Sequence, residues 1–267
     1  MDYIFDSIKK VESLINKKAL LLFLDFDGTL APIVSSPDKA HLSGRFKKLI
    51  GGLAECKDTK VAIISGREMK DLKKRVALKG IIYAGNHGFE IDGPNLSFAT
   101  PMARGFKSAM NSMRELLKKH LRLIDGAIIE DKVFTTSVHY RMVKPEETLK
   151  VKNIFYKVVE PYILKKICRI TAGKKVFEIR PNIKWDKGEA VTWLLARHKV
   201  FFGEDVVPVY IGDDNTDEDA FKKIAGRGIG IVVGNEPFSM ARYYVDNVPE
   251  VYRFLNILSQ MRTAPDR

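Results

Sequence analysis

The chain has 267 residues, of which 45% are hydrophobic and 29% are charged, enough for one or two domains with a large core. Its two cysteines, Cys56 and Cys168, exclude a disulfide framework and a cysteine-rich metal site. No apolar run approaches the roughly 20 residues of a membrane span, and residues 1–18 lack a signal-peptide pattern, so we expect a cytoplasmic protein without a membrane partner.

The net charge of +12 and the pI of about 9.5 suit either a nucleic acid or an anionic small molecule as partner. The lysines are spread along the chain, and neither an RNA-binding motif nor an aromatic–basic cluster is present. We therefore predict a small anionic ligand, no nucleic-acid partner and a monomer. A basic nucleic-acid-binding or regulatory module is kept as the remote alternative.

Short apolar strands, each followed by glycine or polar residues, alternate with helical patterns along most of the chain. In chain order, the predicted strands of this kind are 20–25, 60–65, 80–84, 206–211 and 229–233. The helices predicted before or between them include 3–17, 42–56 and 67–78. Alternation of strand and helix predicts an α/β fold with a doubly wound, mostly parallel sheet.

The middle of the chain has a different pattern. A long helix is predicted over 102–120, followed by two strands within 127–141 around a Glu130-Asp-Lys132 turn. Another helix follows Pro145, and a further strand covers 173–180. We therefore predict a small α+β insert at 101–181 between two segments of one core domain, 1–100 and 182–267.

Four polar motifs follow predicted strands or begin a helix, and each carries groups suited to phosphate chemistry. They are Asp25-Phe-Asp27-Gly-Thr29, Ser65-Gly66-Arg67, Lys187-Gly188 and Gly212-Asp213-Asp214-Asn-Thr-Asp217. Because ligands of open α/β sheets bind beyond the carboxyl ends of the strands, these motifs are expected to converge at one edge of the sheet.

This set of motifs resembles the haloacid dehalogenase superfamily and, within it, the trehalose-6-phosphate phosphatases. The resemblance spans about residues 22–221 and is carried by seven segments: 24–33, 64–67, 84–90, 137–141, 173–181, 185–188 and 212–221. It implies a Rossmann-like core, a cap domain that sets specificity, and a magnesium-dependent hydrolase of trehalose 6-phosphate in trehalose biosynthesis. The alternative is a phosphatase for another sugar phosphate on this scaffold, such as sucrose phosphate or a phosphorylated glycosylglycerate.

The two aspartates of the first motif receive different roles. Asp25, at the strand tip, is the candidate nucleophile and would form an aspartyl-phosphate. Asp27 would give a proton to the leaving sugar alcohol and then take one from the attacking water. Two carboxylates this close also suit a hard cation such as Mg²⁺.

The resemblance implies that Mg²⁺ is bound by the Asp25 side chain, the Asp27 carbonyl and Asp213. Asp214 and Asp217 are further candidates for the metal shell, although acids at a helix start also complement the helix dipole.

Ser65 offers a hydroxyl to the phosphoryl oxygens, and the backbone N–H groups around Gly66 offer further donors. Lys187 would neutralise the transferring group. Two interpretations of Arg67 stay open, contact with substrate or pairing with an acid. His87, in a glycine-flanked loop, either lines the site or has a structural role.

The insert is expected to recognise the sugar. Matching cap residues of the family grip the sugar, which points to Glu130, Lys132, Lys174 and Glu178 and more weakly to Arg141 and Arg180. Alternation along the strand 174–180 places Lys174, Val176, Glu178 and Arg180 on one face. The alternative for that face is an ordinary solvated face of an antiparallel sheet.

Overall fold

A computed structural model describes the chain apart from residues 35–38, 100, 132–134, 174, 203–204, 235 and 264–267, and apart from the side chains of 101–105 and 199–202. The described chain divides into two compact units. The first comprises Met1–Phe98 and Trp185–Arg267, and the second comprises Ala99–Lys184. We call them the core unit and the insert unit. The predicted insert boundaries, 101 and 181, lie within a few residues of this division.

Thirteen strands and eight α-helices are found in the described residues. The strands are β1 (Asp2–Tyr3), β2 (Ala19–Leu24), β3 (Thr59–Ile64), β4 (Ile82–Gly85), β5 (Glu90–Gly93), β6 (Leu96–Ala99), β7 (Ile128–Asp131), β8 (Thr136–His139), β9 (Cys168–Gly173), β10 (Val176–Pro181), β11 (Val206–Gly212), β12 (Ile229–Val233) and β13 (Tyr243–Val245). The helices are α1 (Ile8–Ile15), α2 (Gly44–Glu55), α3 (Met69–Val76), α4 (Pro101–Leu121), α5 (Thr148–Leu164), α6 (Lys187–Phe202), α7 (Glu218–Ile224) and α8 (Val248–Thr263).

The core unit is built on one nine-stranded sheet with the order β1-β13-β12-β11-β2-β3-β4-β5-β6. The pairs from β1 through to β4 are parallel, and β5 is antiparallel to β4. Leu24 at the end of β2 is in register with Ile63 of β3 and Ile211 of β11. The polar residues that follow these strands therefore emerge at the same edge of the sheet.

Both faces of this sheet are buried. Leu20, Leu22 and Leu24 pack in one apolar cluster with residues of α1, α2, α3 and α8. Leu21 and Phe23, on the opposite face, pack with residues of α6 and α7. A strand buried on both sides needs apolar residues at every position, which explains the unbroken run in β2. The predicted doubly wound α/β fold is confirmed.

The insert unit contains a separate four-stranded sheet with the order β7-β8-β10-β9. Its pairs are antiparallel. Phe177 and Ile179 of β10 are buried on one face, and the Phe177 ring stacks on Phe155 of α5 at 4.6 Å and on Tyr140 at 5.0 Å. The alternation predicted for this strand is thus present over β10, and its other face carries Glu178 and Arg180.

Two predictions for the insert strands are wrong. Glu130 and Asp131 lie inside β7 and pair with Ser137 and Thr136, so the chain reverses after Asp131 and not at Glu130. The predicted strand 173–180 is two strands, because β9 ends at Gly173 and β10 begins at Val176. At the hairpin, cross-strand pairing overrides the local turn signal, whereas between β9 and β10 the chain turns where the sequence pattern predicted a continuous strand.

Other differences concern short or exposed elements. The first helix begins at Ile8 rather than at residue 3, because Asp2 and Tyr3 pair with β13. Strands β5, β6, β9 and β13 were not predicted, and the third buried strand begins at Ile82 rather than at residue 80. None of the described helices is both long enough and apolar enough to cross a membrane.

Candidate active site

Asp25 continues the line of β2 beyond its last paired residue. Its backbone N–H donates to the carbonyl of Ile211 at 2.9 Å, so the neighbouring strand fixes its position. The residue is only 4% exposed. A buried carboxylate needs a compensating charge or a proton, because the protein interior solvates an anion poorly.

Lys187 supplies that charge from the first residue of α6. The helix start is fixed by Asp186, whose Oδ1 accepts the backbone N–H of Glu189 at 2.9 Å, as an N-cap residue does. The Lys187 Nζ donates to Asp25 Oδ1 at 2.8 Å and to Asp217 Oδ1 at 2.7 Å. With its side chain 2% exposed, this ammonium is a buried bridge between two carboxylates from different elements.

Asp217 is fully buried, and donors already contact both of its oxygens. Its Oδ1 accepts from Lys187 and from the Tyr210 hydroxyl, the latter at 2.5 Å. Its Oδ2 accepts the backbone N–H groups of Asp213 at 3.0 Å and Asp214 at 3.1 Å. A carboxylate has about four acceptor positions, and these four bonds fill them.

Two glycines allow the acidic side chains to approach the backbone closely. A Cβ on Gly28, which has a φ of +85°, would lie 1.9 Å from Asp213 Oδ2. A Cβ on Gly212 would lie 2.3 Å from the Asp217 carboxyl carbon. Any larger residue at either position would displace a carboxylate of the site.

The electrostatics of this cluster are set by burial and by like charges. Burial raises the pKa of Asp25 well above its ordinary value, and Lys187 opposes that change. Burial, reinforced by Asp217 and Asp214, raises the pKa of Asp213 to about 6. Burial alone would lower the pKa of Lys187, but Asp25 and Asp217 outweigh it and raise the pKa above its ordinary value.

The same carboxylates form a group that suits a cation. One oxygen each of Asp25, Asp213 and Asp217 lies within 4.8 Å of the other two, and those of Asp25 and Asp213 are the better placed to bind a cation because donors already occupy Asp217. Oxygen-only ligands and excess negative charge fit a hard divalent cation such as Mg²⁺. Asp214 lies at the margin of the group: its Oδ1 accepts from the Thr216 hydroxyl at 2.6 Å and lies 3.8 Å from Lys187 Nζ. Although desolvation opposes the change, Lys187 and Thr216 lower the pKa of Asp214, whose side chain is partly exposed.

Asp27 forms a bidentate ion pair with Arg67. Arg67 Nε and Nη2 donate to Asp27 Oδ2 and Oδ1, both at 2.6 Å. Arg67 Nη1 donates to Asp71 at 2.8 Å, and Arg75 donates to the same Asp71 oxygen at 2.7 Å. The sequence left two interpretations of Arg67 open, contact with substrate or pairing with an acid. The described contacts include the second, with Asp27 as the acid.

Ser65 and His87 come together next to this pair. The Ser65 carbonyl accepts the backbone N–H of His87 at 2.9 Å, and the Ser65 hydroxyl accepts the N–H of Arg67 at 3.2 Å. A Cβ on Gly66 would lie 2.7 Å from the His87 imidazole, so Gly66 lies directly against that ring. The structure thus brings the second motif and the glycine-flanked loop to one place on the sheet edge.

The insert residues were predicted separately, and two of them share one row of the insert sheet. Glu130 of β7 is opposite Ser137 of β8, which is opposite Glu178 of β10. Residues opposite each other across strands point to the same face. His139 lies 3.0 Å from Glu130, and Arg180 Nε donates to Glu178 at 2.7 Å.

The remaining predicted insert residues lie elsewhere. Arg141 is exposed in the turn after β8. Lys132 and Lys174 lie outside the described residues.

Tyr210 and Asp71 take part in the site but were not predicted from the sequence. Tyr210 is the only residue with a hydroxyl group in the aliphatic run of β11. A buried tyrosine usually hydrogen-bonds through its hydroxyl, so the sequence did carry a signal for this contact. Asp71 is four residues after Arg67, the spacing at which side chains meet on a helix. Neither signal identifies its partner without the tertiary structure.

Comparison with solved structures supports the fold. The trehalose-6-phosphate phosphatase of Aspergillus fumigatus superposes with a TM-score of 0.71 and 24% identity over 97% of this chain and 99% of that chain. The C-terminal domain of the trehalose-6-phosphate phosphatase of C. albicans gives a TM-score of 0.72 and 23% identity over 97% of both chains. At this level of identity, the two comparisons establish the fold alone.

Sequence comparison is more specific. The chain is 37% identical over 257 residues to Trehalose-phosphate phosphatase B of Arabidopsis thaliana. This alignment covers 92% of this chain and 67% of the relative. The chain is 38% identical over 263 residues to Trehalose 6-phosphate phosphatase RA3 of Zea mays, which covers 92% and 72%. The family model described as Trehalose-phosphatase matches residues 23–247. The chain therefore belongs to the trehalose-phosphatase family.

Proposed function

We propose that this protein hydrolyses trehalose 6-phosphate to trehalose and inorganic phosphate, as a phosphoric monoester hydrolase of trehalose biosynthesis. The observation that carries the proposal is the buried Lys187 bridge between Asp25 and Asp217 in a chain of the trehalose-phosphatase family. A nucleophile beside a fixed positive charge is what phosphoryl transfer requires, because the reaction is controlled by positioning and charge neutralisation.

In the proposed first half-reaction, Asp25 attacks phosphorus. An Asp25 oxygen forms a bond to phosphorus, the bond from phosphorus to the sugar oxygen breaks, and Asp27 donates a proton to that oxygen. In the second half-reaction water attacks phosphorus, Asp27 takes a proton from it, and the Asp25–phosphorus bond breaks. Lys187 neutralises charge on the phosphoryl group in both steps, and Ser65 and the backbone at Gly66 bind its oxygens.

The Arg67–Asp27 pair fits the second half-reaction. Both Asp27 oxygens accept from Arg67, so the side chain is held as a hydrogen-bond acceptor, which is the role of the general base in that step. Its role as an acid requires that it gain a proton and that this pair open. We therefore assign Arg67 to the control of Asp27, with Asp71 holding the guanidinium in place.

We infer that Mg²⁺ is the cation of the site, held by the Asp25 and Asp213 side chains and the Asp27 carbonyl. The four donors on Asp217 argue that its role is to hold Lys187 and the Asp213–Asp214 backbone rather than to ligate the metal directly. When bound, Mg²⁺ supplies positive charge to the phosphoryl oxygens and favours the ionised form of Asp25.

We also propose that the insert unit recognises the sugar as a cap. Glu130 and Glu178, aligned on one face of the insert sheet, are acceptors suited to sugar hydroxyls. His139 and Arg180 hold the two carboxylates, and Lys132, Lys174 and Arg141 stay predicted sugar contacts.

The two free cysteines, Cys56 and Cys168, fit the cytoplasm, which we propose as the location of the protein. The expected monomer stays a prediction.

Asp25→Asn should abolish phosphate release, by at least about 1,000-fold, because an amide cannot attack phosphorus. Phosphate release would be measured with Mg²⁺ on trehalose 6-phosphate, sucrose phosphate and a phosphorylated glycosylglycerate. Circular dichroism would verify the fold, and Asp219→Asn is the matched control with retained activity, because this half-buried acid of α7 pairs only with Lys222 among the described ion pairs. Turnover by Asp25→Asn would refute this residue as the nucleophile, and a preference of wild type for another sugar would refute the substrate.

Asp213→Asn should make the thermal stability of the protein much less dependent on Mg²⁺. The pKa of Asp213 in the folded protein, about 6, is above its ordinary value of 3.8, so the metal-free protein loses stability as pH rises from about 4 to 6. Asparagine removes this loss, so the metal-free variant should melt higher than wild type at pH 7.

Thermal unfolding in EDTA and in Mg²⁺ would test this. At 100 times its dissociation constant, Mg²⁺ should stabilise wild type by about 2.7 kcal/mol, and the variant much less. An equal gain in both proteins would argue against Asp213 as a metal ligand.

Glu178→Gln should damage recognition of the sugar but not the chemistry. Loss of a charged hydrogen bond of about 1.5–3 kcal/mol corresponds to a kcat/KM for trehalose 6-phosphate that is lower by about 10- to 150-fold. Hydrolysis of p-nitrophenyl phosphate, which has no sugar, should change less than about threefold. Glu160→Gln, on the exposed side of α5, is the control. A parallel loss on both substrates would show that Glu178 acts through folding and not through the sugar.

A further inference from the structure

The positive charge of this protein is concentrated in the insert unit. Residues 99–184 contain 19 lysines and arginines but 8 aspartates and glutamates, so they carry a net charge of +11 out of the +12 of the whole chain. The core unit, with about twice as many residues, is nearly neutral. A single phosphate ester, bound at the acidic edge of the core sheet in the proposed mechanism, does not account for a charge of this size.

Large exposed apolar side chains are concentrated in the same unit. They include Leu116, Leu123, Ile128, Met142, Leu149, Tyr156 and Leu164. Scattered exposed apolar residues are ordinary on protein surfaces, but apolar residues grouped in a concave place mark a binding surface. The relevant feature is therefore where these side chains meet the basic ones.

One of them, Leu116, lines a groove of about 480 Å³ between α4 and α5, within the insert unit, where apolar and basic side chains meet. Its apolar floor includes Leu116 of α4 with Ile154 and Pro161 of α5, and Leu116 is 40% exposed. Its basic rim is formed by His120, Lys157 and Lys165. Among the described residues, no aspartate or glutamate lines this groove. The nearest acid in sequence on α4, Glu115, is paired with Lys118 at 3.6 Å.

Pro161 removes one helical hydrogen bond beside the groove. Proline has no backbone N–H, so the carbonyl of Lys157, four residues earlier in α5, cannot make its ordinary helical hydrogen bond to residue 161. Both residues line the groove.

We propose that the α4–α5 groove docks an acidic amphipathic helix of a partner protein. The groove runs along α5 from Ile154 to Lys165, a rise of about 16 Å, which matches three turns of a helix. The docked helix would place apolar residues at helical spacing on the floor and aspartates or glutamates against Lys157 and Lys165. A concave, helix-sized groove favours a helix over a membrane, because a lipid surface is flat at this scale. This inference does not depend on the proposed phosphatase activity.

The test is the binding of a fluorescent peptide of about 15 residues to the full-length protein, measured by anisotropy. The peptide has leucines on one helical face and glutamates beside them, and a scrambled peptide of the same composition is the control. We expect a dissociation constant of roughly 10–100 μM for the amphipathic peptide and binding at least tenfold weaker for the scrambled one.

The decisive variants reverse charge at the groove or away from it. Lys157→Glu with Lys165→Glu should weaken peptide binding at least tenfold, while Lys150→Glu with Lys152→Glu, the same charge change elsewhere on α5, should weaken it less than about threefold. Circular dichroism and phosphate release should be unchanged in both. The proposal is overturned if the amphipathic peptide does not bind, if both double variants lose binding equally, or if phosphatidylserine vesicles bind through Lys157 and Lys165 while the peptide does not.

Discussion

The buried ammonium of Lys187 is the interaction on which the site depends. It joins the end of β2, through Asp25, to the start of α7, through Asp217, and both contacts are shorter than 3 Å. Removing one partner of such a buried pair leaves an uncompensated charge, which typically costs about 3–5 kcal/mol. The bridge therefore fixes the position of the proposed nucleophile and also ties together two elements of the core unit.

Negative charge still exceeds positive charge around this bridge, and this excess makes the site suitable for a divalent cation. Asp25, Asp213 and Asp217 come within 4.8 Å of one another, while Lys187 supplies one positive charge. Gly28 and Gly212 permit this crowding, because side chains there would collide with the carboxylates. Burial, together with the neighbouring carboxylates, raises the pKa values of Asp25 and Asp213, and a divalent cation would favour their ionised forms. Stability is thus given up in the metal-free protein at the place where phosphoryl transfer is proposed.

The sequence was sufficient for the fold class and for the edge of the sheet where the site lies. Parallel strands buried on both faces, such as β2 and β11, have apolar residues throughout and are visible without any tertiary information. Strand β9 exposes most of its residues and β13 has three residues, so neither carries such a pattern. The turn after Asp131 was misplaced because cross-strand register, and not local turn propensity, decides where a hairpin reverses.

Partners of individual side chains were harder to predict than their positions. The bond between Arg67 and Asp27 joins residues 40 apart in sequence, and the bond between Tyr210 and Asp217 needs a helix start that turns back on its strand. Such contacts depend on three-dimensional packing that no local spacing encodes. The alignment of Glu130 with Glu178 likewise appears only once the pairing of β7, β8 and β10 is known.

The central claim, that Asp25 carries the phosphoryl group, is tested most directly by acid-quenching the protein during turnover of phosphate-labelled trehalose 6-phosphate and mapping the label on peptides. We expect acid-stable label on the peptide that contains Asp25, and no label on that peptide when Asp25→Asn is treated in the same way. Label on any other residue, or labelling that persists in Asp25→Asn, would show that Asp25 is not the nucleophile.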